Sequence, residues 1–136
     1  MLRSVFVKHH MTKNPVTLAP GMTIQEAVYL LIKKDISGAP VLDDHGRLVG
    51  VLTERDCMRV AIRAGYHGEP GGLVKDFMSS NPQWIGPEQS ILTLADLFIN
   101  GRFHRYPVLD NGRLIGVISR RDVMRALGKY YPKANR

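Results

Sequence analysis

Gly50-Val51-Leu52-Thr53-Glu54-Arg55-Asp56 recurs as Gly116-Val117-Ile118-Ser119-Arg120-Arg121-Asp122. In both copies an apolar run ends in a hydroxyl residue, and a carboxylate follows three positions later at the head of a pattern with helical spacing. The stretch reads as the meeting point of a strand, a cap and a helix.

Self-similarity that is real should run through turns and core positions as well as through one motif. Met11-Thr12-Lys13-Asn14-Pro15 lines up with Met78-Ser79-Ser80-Asn81-Pro82, Pro20 with Pro87, and Ala39-Pro40-Val41-Leu42-Asp43 with Tyr106-Pro107-Val108-Leu109-Asp110, at a constant offset of 67. The offset falls to 66 at Asp44-His45-Gly46, which only Asn111-Gly112 answers. A difference of one residue confined to a turn is where an insertion is tolerated.

Each copy predicts strand, helix, strand, strand, helix, so the fold class is α+β. Pro15 and Pro20 bracket the short extended piece Val16-Thr17-Leu18, and Thr23 to Glu26 reads as a capping box. Ile24, Ala27, Val28, Leu31 and Ile32 then form an amphipathic stripe, repeated as Ile91, Leu94, Ala95, Phe98 and Ile99 behind Ser90. Ala39–Leu42 and Arg47–Leu52 give two strands with a hairpin signal. A second helix runs from Glu54 to about Ala64, with Gly65 as its stop, and recurs from Arg120 to about Lys129 with Gly128 as its stop. Leu2 to Lys8 predicts a short strand or a segment lying against the second repeat. The organisation is a first repeat at 7–64, a linker at 65–73 and a second repeat at 74–131, and the tail after Tyr131-Pro132 is expected to fray.

The chain of 136 residues is short enough for the two repeats to share one core. Hydrophobic residues at 44% and charged residues at 23% exclude disorder. No apolar run approaches the length needed to span a bilayer, and the first residues lack a signal peptide's apolar stretch, so the expected location is cytoplasmic. A single cysteine, Cys57, cannot make an internal disulfide and reads as a small buried residue. The net charge of +7 suits anionic partners, from nucleotides to nucleic acid.

No cluster of Cys, His or carboxylates has metal-ligand spacing, His9-His10 included, and no Walker or dinucleotide loop occurs. The sequence carries no enzyme signature. What remains is the repeated hydroxyl-x-x-Asp, which has two readings. Thr53 and Ser119 can be N-caps whose boxes Asp56 and Asp122 complete. A helix N-terminus, a hydroxyl and a carboxylate also suit a nucleotide, because amides meet phosphate and the acid accepts ribose hydroxyls. Both readings stand on these residues alone.

The paired pattern, Met-Thr-x-x-Pro in the first copy, Ala39-Pro40-Val41 or Tyr106-Pro107-Val108, and Gly-h-h-[Thr/Ser]-x-x-Asp, resembles the tandem cystathionine-beta-synthase (CBS) domain, or Bateman module, of the stand-alone bacterial type. The resemblance covers Val7 to about Tyr131. It implies two pseudo-symmetric beta-alpha-beta-beta-alpha repeats packed through their sheets, a non-catalytic regulatory role, and clefts for adenosine derivatives. By the same resemblance Asp56 and Asp122 match ribose-binding acids, with Thr53 and Ser119 as accompanying hydroxyls. Ile36, Ser37, Gly38 and Ala39, and Phe103, His104, Arg105 and Tyr106, match segments lining adenine and phosphate. Val16 and Gln83 match first-strand positions near the base.

His104-Arg105 resembles the His-Arg pair that holds phosphate in the gamma subunit of AMP-activated protein kinase, and Ser37-Gly38 replaces it in the first repeat, so the two sites are expected to differ, the one anchored by Asp56 preferring phosphorylated ligands because His104-Arg105 is expected to reach it from the other repeat. Arg55 and Arg121 stand beside the acids, with Arg120 adding a cation where the first repeat has Glu54. Gln83 and Trp84 depart from the residues frequent at those positions, and Trp84 is expected to cover the core, with stacking on adenine as the other reading.

The expected ligand is AMP, ADP or ATP, with NAD or S-adenosylmethionine as further adenosine derivatives, and no cofactor is required. A homodimer and a separate effector protein are the partners this reading implies, and a membrane is not among them. The alternative is a basic nucleic-acid-binding protein; the dispersed basic residues and the lack of a recognition motif weigh against it.

Overall fold

Helix, strand, strand, helix recur in each repeat as the sequence predicts, but the expected first strand at Val16-Thr17-Leu18 is reduced to a single bridge at Leu18, matched by one at Ile85 in the second repeat. The computed structural model describes residues 2–67 and 71–131. After two 3-10 turns, Leu2–Ser4 and Val7–His9, come strand β1 (Thr12–Lys13), helix α1 (Ile24–Lys34), strands β2 (Gly38–Leu42) and β3 (Leu48–Thr53) and helix α2 (Glu54–His67). The short helix α3 (Val74–Phe77), helix α4 (Ile91–Asn100), strands β4 (Arg105–Asp110) and β5 (Arg113–Ser119) and helix α5 (Arg120–Tyr130) follow.

Local chemistry sets these elements. The Thr23 hydroxyl accepts the Glu26 amide at 3.1 Å to open α1, and Ser90 accepts the Thr93 amide at 3.1 Å to open α4. Asn111 and Gly112 lie at φ 50° and 79°, the left-handed pair that a two-residue hairpin turn demands between β4 and β5. The longer first turn is organised by the Asp43 carboxylate, which accepts the amides of His45 and Arg47, each at 2.9 Å. Each hairpin bulges once, at Val41/Leu42 and at Val108/Leu109. Leu18 and Ile85 add a parallel bridge to Val41 and Val108.

The chain divides into two compact units, and they are offset from the sequence repeats. One is Val16–Pro82; the other joins Met1–Pro15 to Gln83–Arg136. Each has its own core rather than a share of a common one. Leu18, Ile24, Ala27, Leu31, Val41, Leu52, Val60 and Val74 build the first. Ile85, Ile91, Leu94, Phe98, Val108, Ile118, Ala126 and Val7 occupy the equivalent places in the second. The last pair is informative, because Val7 precedes the first repeat's motif and Val74 the second's. Each unit is thus completed by the opening segment of the other repeat.

The same exchange explains the start of the chain. Leu2 to Lys8 forms 3-10 turns instead of a strand, and it lies with the second repeat: Val5 and Val7 enter that core, and the Ile91 amide donates to the Val5 carbonyl at 2.8 Å. Equivalently, the Ile24 amide donates to the Gly72 carbonyl at 2.9 Å, which ties the end of the 65–73 connector to the start of α1. Residues 68–70 of that connector and the tail after Tyr131 lie outside the described residues.

Three expectations on the helices are corrected. Gly65 and Gly128 stop nothing; α2 runs on to His67 and α5 to Tyr130. The apolar stripe is one residue narrower than its period suggested, for Ile32 is 74% and Ile99 80% exposed. Val28 and Ala95 are half-buried, so three residues per helix carry the packing.

Candidate functional site

At both repeated motifs the last strand residue is also the helix cap. The Thr53 amide and hydroxyl both donate to Asp56 Oδ2, at 2.8 and 3.0 Å, and the Asp56 amide returns a 3.4 Å bond to the Thr53 hydroxyl. Ser119 and Asp122 repeat the arrangement at 2.8, 3.0 and 3.2 Å. A reciprocal box of this kind satisfies two free donors at the start of a helix. The acids are 5% and 8% exposed, the only buried charged side chains among the described residues.

The other carboxylate oxygen has a partner that the sequence reading missed. Arg59 Nη1 donates to Asp56 Oδ1 at 2.6 Å, and Arg125 Nη1 to Asp122 Oδ1 at 3.0 Å. The signal was present, since Asp56-Cys57-Met58-Arg59 and Asp122-Val123-Met124-Arg125 share Asp-x-Met-Arg, and residues three apart meet on a helix.

Hairpin register carries the other segments to these junctions. Gly38 pairs with Thr53 and Arg105 with Ser119, while the Glu54 amide donates to the Ser37 carbonyl at 2.9 Å and the Arg120 amide to the His104 carbonyl at 3.1 Å. Ser37-Gly38 therefore lies at the Asp56 junction and His104-Arg105 at the Asp122 junction. Arg120 Nη2 is 2.6 Å from His104 Nδ1. A guanidinium has no acceptor, so in this contact Arg120 is the donor.

The remaining expected residues serve differently. Ala39 and Tyr106 are buried in their cores, where burial pushes the Tyr106 phenol up and its ring lies 5.2 Å from that of Phe98. Only their backbones can face a ligand. Ile36 is half-buried against its core; Phe103 is exposed, its ring 5.6 Å from Tyr106. Arg55 and Arg121 are exposed at the first turns of α2 and α5, Val16 is half-buried before the Leu18 bridge, and Gln83 is exposed before the Ile85 bridge. Trp84 does not cover the core: it is 54% exposed.

Two titrating groups nearby have shifted. Burial, then the negative charges of Asp56 and Glu54, raise the Cys57 thiol, which is the behaviour of an inert half-buried side chain. His10 is held below its ordinary value by burial first, then by Lys129 and His9, with Asp122 opposing. Among the described residues no group of three His, Cys, Asp or Glu converges on a metal position.

Paired hairpins, each ending in a capped acid, thus recur in the two repeats. The sequence profile of the CBS domain matches residues 7–63 and 74–129. The chain belongs to the CBS-domain family. It is 31% identical over 118 residues to the CBS domain-containing protein YhcV of Bacillus subtilis, covering 86% of this chain and 81% of that one. The crystal structure of CBSX2 in complex with AMP superposes with a TM-score of 0.82 at 30% identity, over 92% of this chain and 97% of that one. The CBS domain pair of protein MJ0100, in complex with 5′-methylthioadenosine and S-adenosyl-L-methionine, superposes with a TM-score of 0.80 at 26% identity, over 93% and 98%.

Other relatives are longer. The chain spans 42% of protein MJ1225 of Methanocaldococcus jannaschii and 24% of the inosine-5′-monophosphate dehydrogenase of Aquifex aeolicus. The likeness to the dehydrogenase is to a part of it and does not bring its activity here. Among the described residues no helix is long and apolar enough to cross a membrane.

Proposed function

We propose that the protein is a regulatory module that binds an adenosine derivative through Asp56 and Asp122. One observation carries the reading. A buried carboxylate recurs at two strand-to-helix junctions, in a chain similar to a protein held with AMP and to another held with 5′-methylthioadenosine and S-adenosyl-L-methionine. A buried acid can accept ribose hydroxyls, and the first amides of α2 and α5 suit phosphate.

The two units differ in charge, and the basic one suits phosphorylated ligands. The unit holding Asp122 has 12 basic and 4 acidic residues, a net +8, whereas the unit holding Asp56 has 7 and 8, a net −1. Arg105 and His104 are the residues assigned to phosphate, so Arg105→Ala should weaken AMP much more than adenosine. The same excess is what a nucleic-acid binder would use, and that reading requires affinity to fall steeply with salt for DNA or RNA.

Ligand occupancy regulates by favouring one arrangement of a homodimer over another, to the extent that the ligand binds the two with different affinity. Exposed Tyr29 and Ile32 on α1, Met58 and Ile62 on α2, and Met124 on α5 are the apolar side chains such a dimer would cover. The output goes to a separate effector protein.

Mass spectrometry of small molecules released from the purified protein, followed by calorimetry with AMP, ATP, 5′-methylthioadenosine and GMP, tests the reading. An adenosine derivative is expected in the released fraction, and adenine ligands should bind more tightly than GMP. Equal binding of GMP and AMP, or no heat from any of them, would contradict it.

A further inference from the structure

Neither acid, as it stands, has acceptor directions free for both hydroxyls of a ribose. Two carboxylate oxygens offer about four lone-pair directions. On Asp56 the Thr53 amide and hydroxyl take both at Oδ2, and Arg59 takes one at Oδ1. Asp122 is filled in the same way by Ser119 and Arg125. A single direction remains on each acid, whereas a ribose cis-diol brings two donors.

We propose that Arg59 and Arg125 are positioning residues that gate the two acids, each guanidinium holding the acceptor site that the second ribose hydroxyl needs. The proposal rests on the nucleoside reading above. For the acid to accept both hydroxyls the arginine leaves Oδ1. Both arginine side chains are mostly exposed, so water can take over their hydrogen bonds. Arg59 also lines a recess of about 490 Å³ with Ile62, Arg63, Asp76 and Phe77. The ion pair is therefore a ligand-specificity device: it favours ligands with one free hydroxyl over those with the intact diol, and it releases a cation when the diol binds. Its recurrence at both acids, on one sequence pattern, sets it apart from a chance surface pair.

Calorimetry with adenosine and 2′-deoxyadenosine on the full chain tests the gate, because both ligands are neutral and the loss of a cation cannot act through a phosphate. Arg59→Ala and Arg125→Ala should each tighten adenosine by about fivefold, the worth of one hydrogen bond released from competition. 2′-Deoxyadenosine, which needs only the free direction, should be unchanged. Arg59→Met keeps the aliphatic stem without a donor and should match Arg59→Ala. Equal shifts for the two nucleosides, or weaker adenosine, would overturn the gate. If adenosine binding is lost in Asp56→Asn but the adenosine preference is unmoved in Arg59→Ala, only the gate falls. If adenosine binds neither the parent nor any variant, the nucleoside reading falls and takes the gate with it.

Discussion

A methyl group added to Gly50 would lie 2.5 Å from Met78 Sδ and 2.8 Å from the Ser79 carbonyl oxygen; on Gly116 it would lie 2.7 Å from Met11 Sδ and 2.8 Å from the Thr12 carbonyl oxygen. The two motif residues that recur most plainly, Met and Gly, are therefore one contact made twice. Gly50→Ala and Gly116→Ala should each lose about 1–3 kcal/mol in urea unfolding, because the backbone oxygen cannot yield. Adding Met78→Ala to Gly50→Ala should recover only part of that loss; an unchanged midpoint in the single variants would show the contact to be slack. Both residues were legible in the sequence as repeated. Their meeting was not, because Met11 packs on the glycine of the other repeat, 105 residues away, and no local pattern encodes that choice. Arg59 and Arg125 lie one helical turn beyond the acids, outside the hydroxyl-x-x-Asp motif that marks the repeat.

Helices α2 and α5 show how far local signals reach. A glycine ends a helix when it takes a left-handed conformation, and Gly65 and Gly128 do not; only Gly46 and Gly112 among the described glycines have positive φ. Each lies within its helix with nothing within 4 Å of an added methyl group. Gly65→Ala and Gly128→Ala should therefore raise stability by up to about 1 kcal/mol, read as an upward shift in thermal midpoint. A fall would mean that these glycines hold a conformation alanine cannot. Periodicity likewise placed α1 and α4 correctly but overcounted their buried faces, since Ile32 and Ile99 fit a stripe whose edge the core never reaches.

In the first hairpin the Arg47 amide holds the Asp43 carboxyl below its ordinary value; desolvation opposes it, and the His45 amide and the Arg47 side chain add to the lowering. A depressed acid contributes stability above its unfolded value and loses it as pH falls through the folded one. Turn stability should accordingly drop on acidification below about pH 4, and Asp43→Asn should remove that dependence in amide-exchange measurements. A turn that opens identically in both proteins across that range would refute the assignment.

For the molecule as a whole, the repeat and its α+β class were legible because self-similarity survives in the helix, hairpin and helix that each copy shares. The exchange of opening segments was not, and it moved charge as well as residues. Cut by sequence at residue 73, the two parts carry +2 and +5; cut by compact unit they carry −1 and +8. Light scattering at micromolar concentration should give twice the 15.3 kDa chain mass with and without nucleotide. A monomer under both conditions would remove the dimer.

The acids decide the central claim. In the structure they are caps, and burial with charge-assisted bonds means that Asp56→Asn and Asp122→Asn should each cost about 1–2 kcal/mol whether or not they bind ribose. Melting alone therefore cannot separate the readings. The direct measurement is calorimetric titration of AMP into the parent and each folded Asp→Asn variant at a temperature well below all three midpoints. The account predicts that each substitution weakens binding at its own site by about tenfold or more, as expected for lost charge-assisted bonds. Unchanged AMP affinity and stoichiometry in both variants, with only the melting temperatures lowered, would contradict it and leave the two acids as helix caps alone.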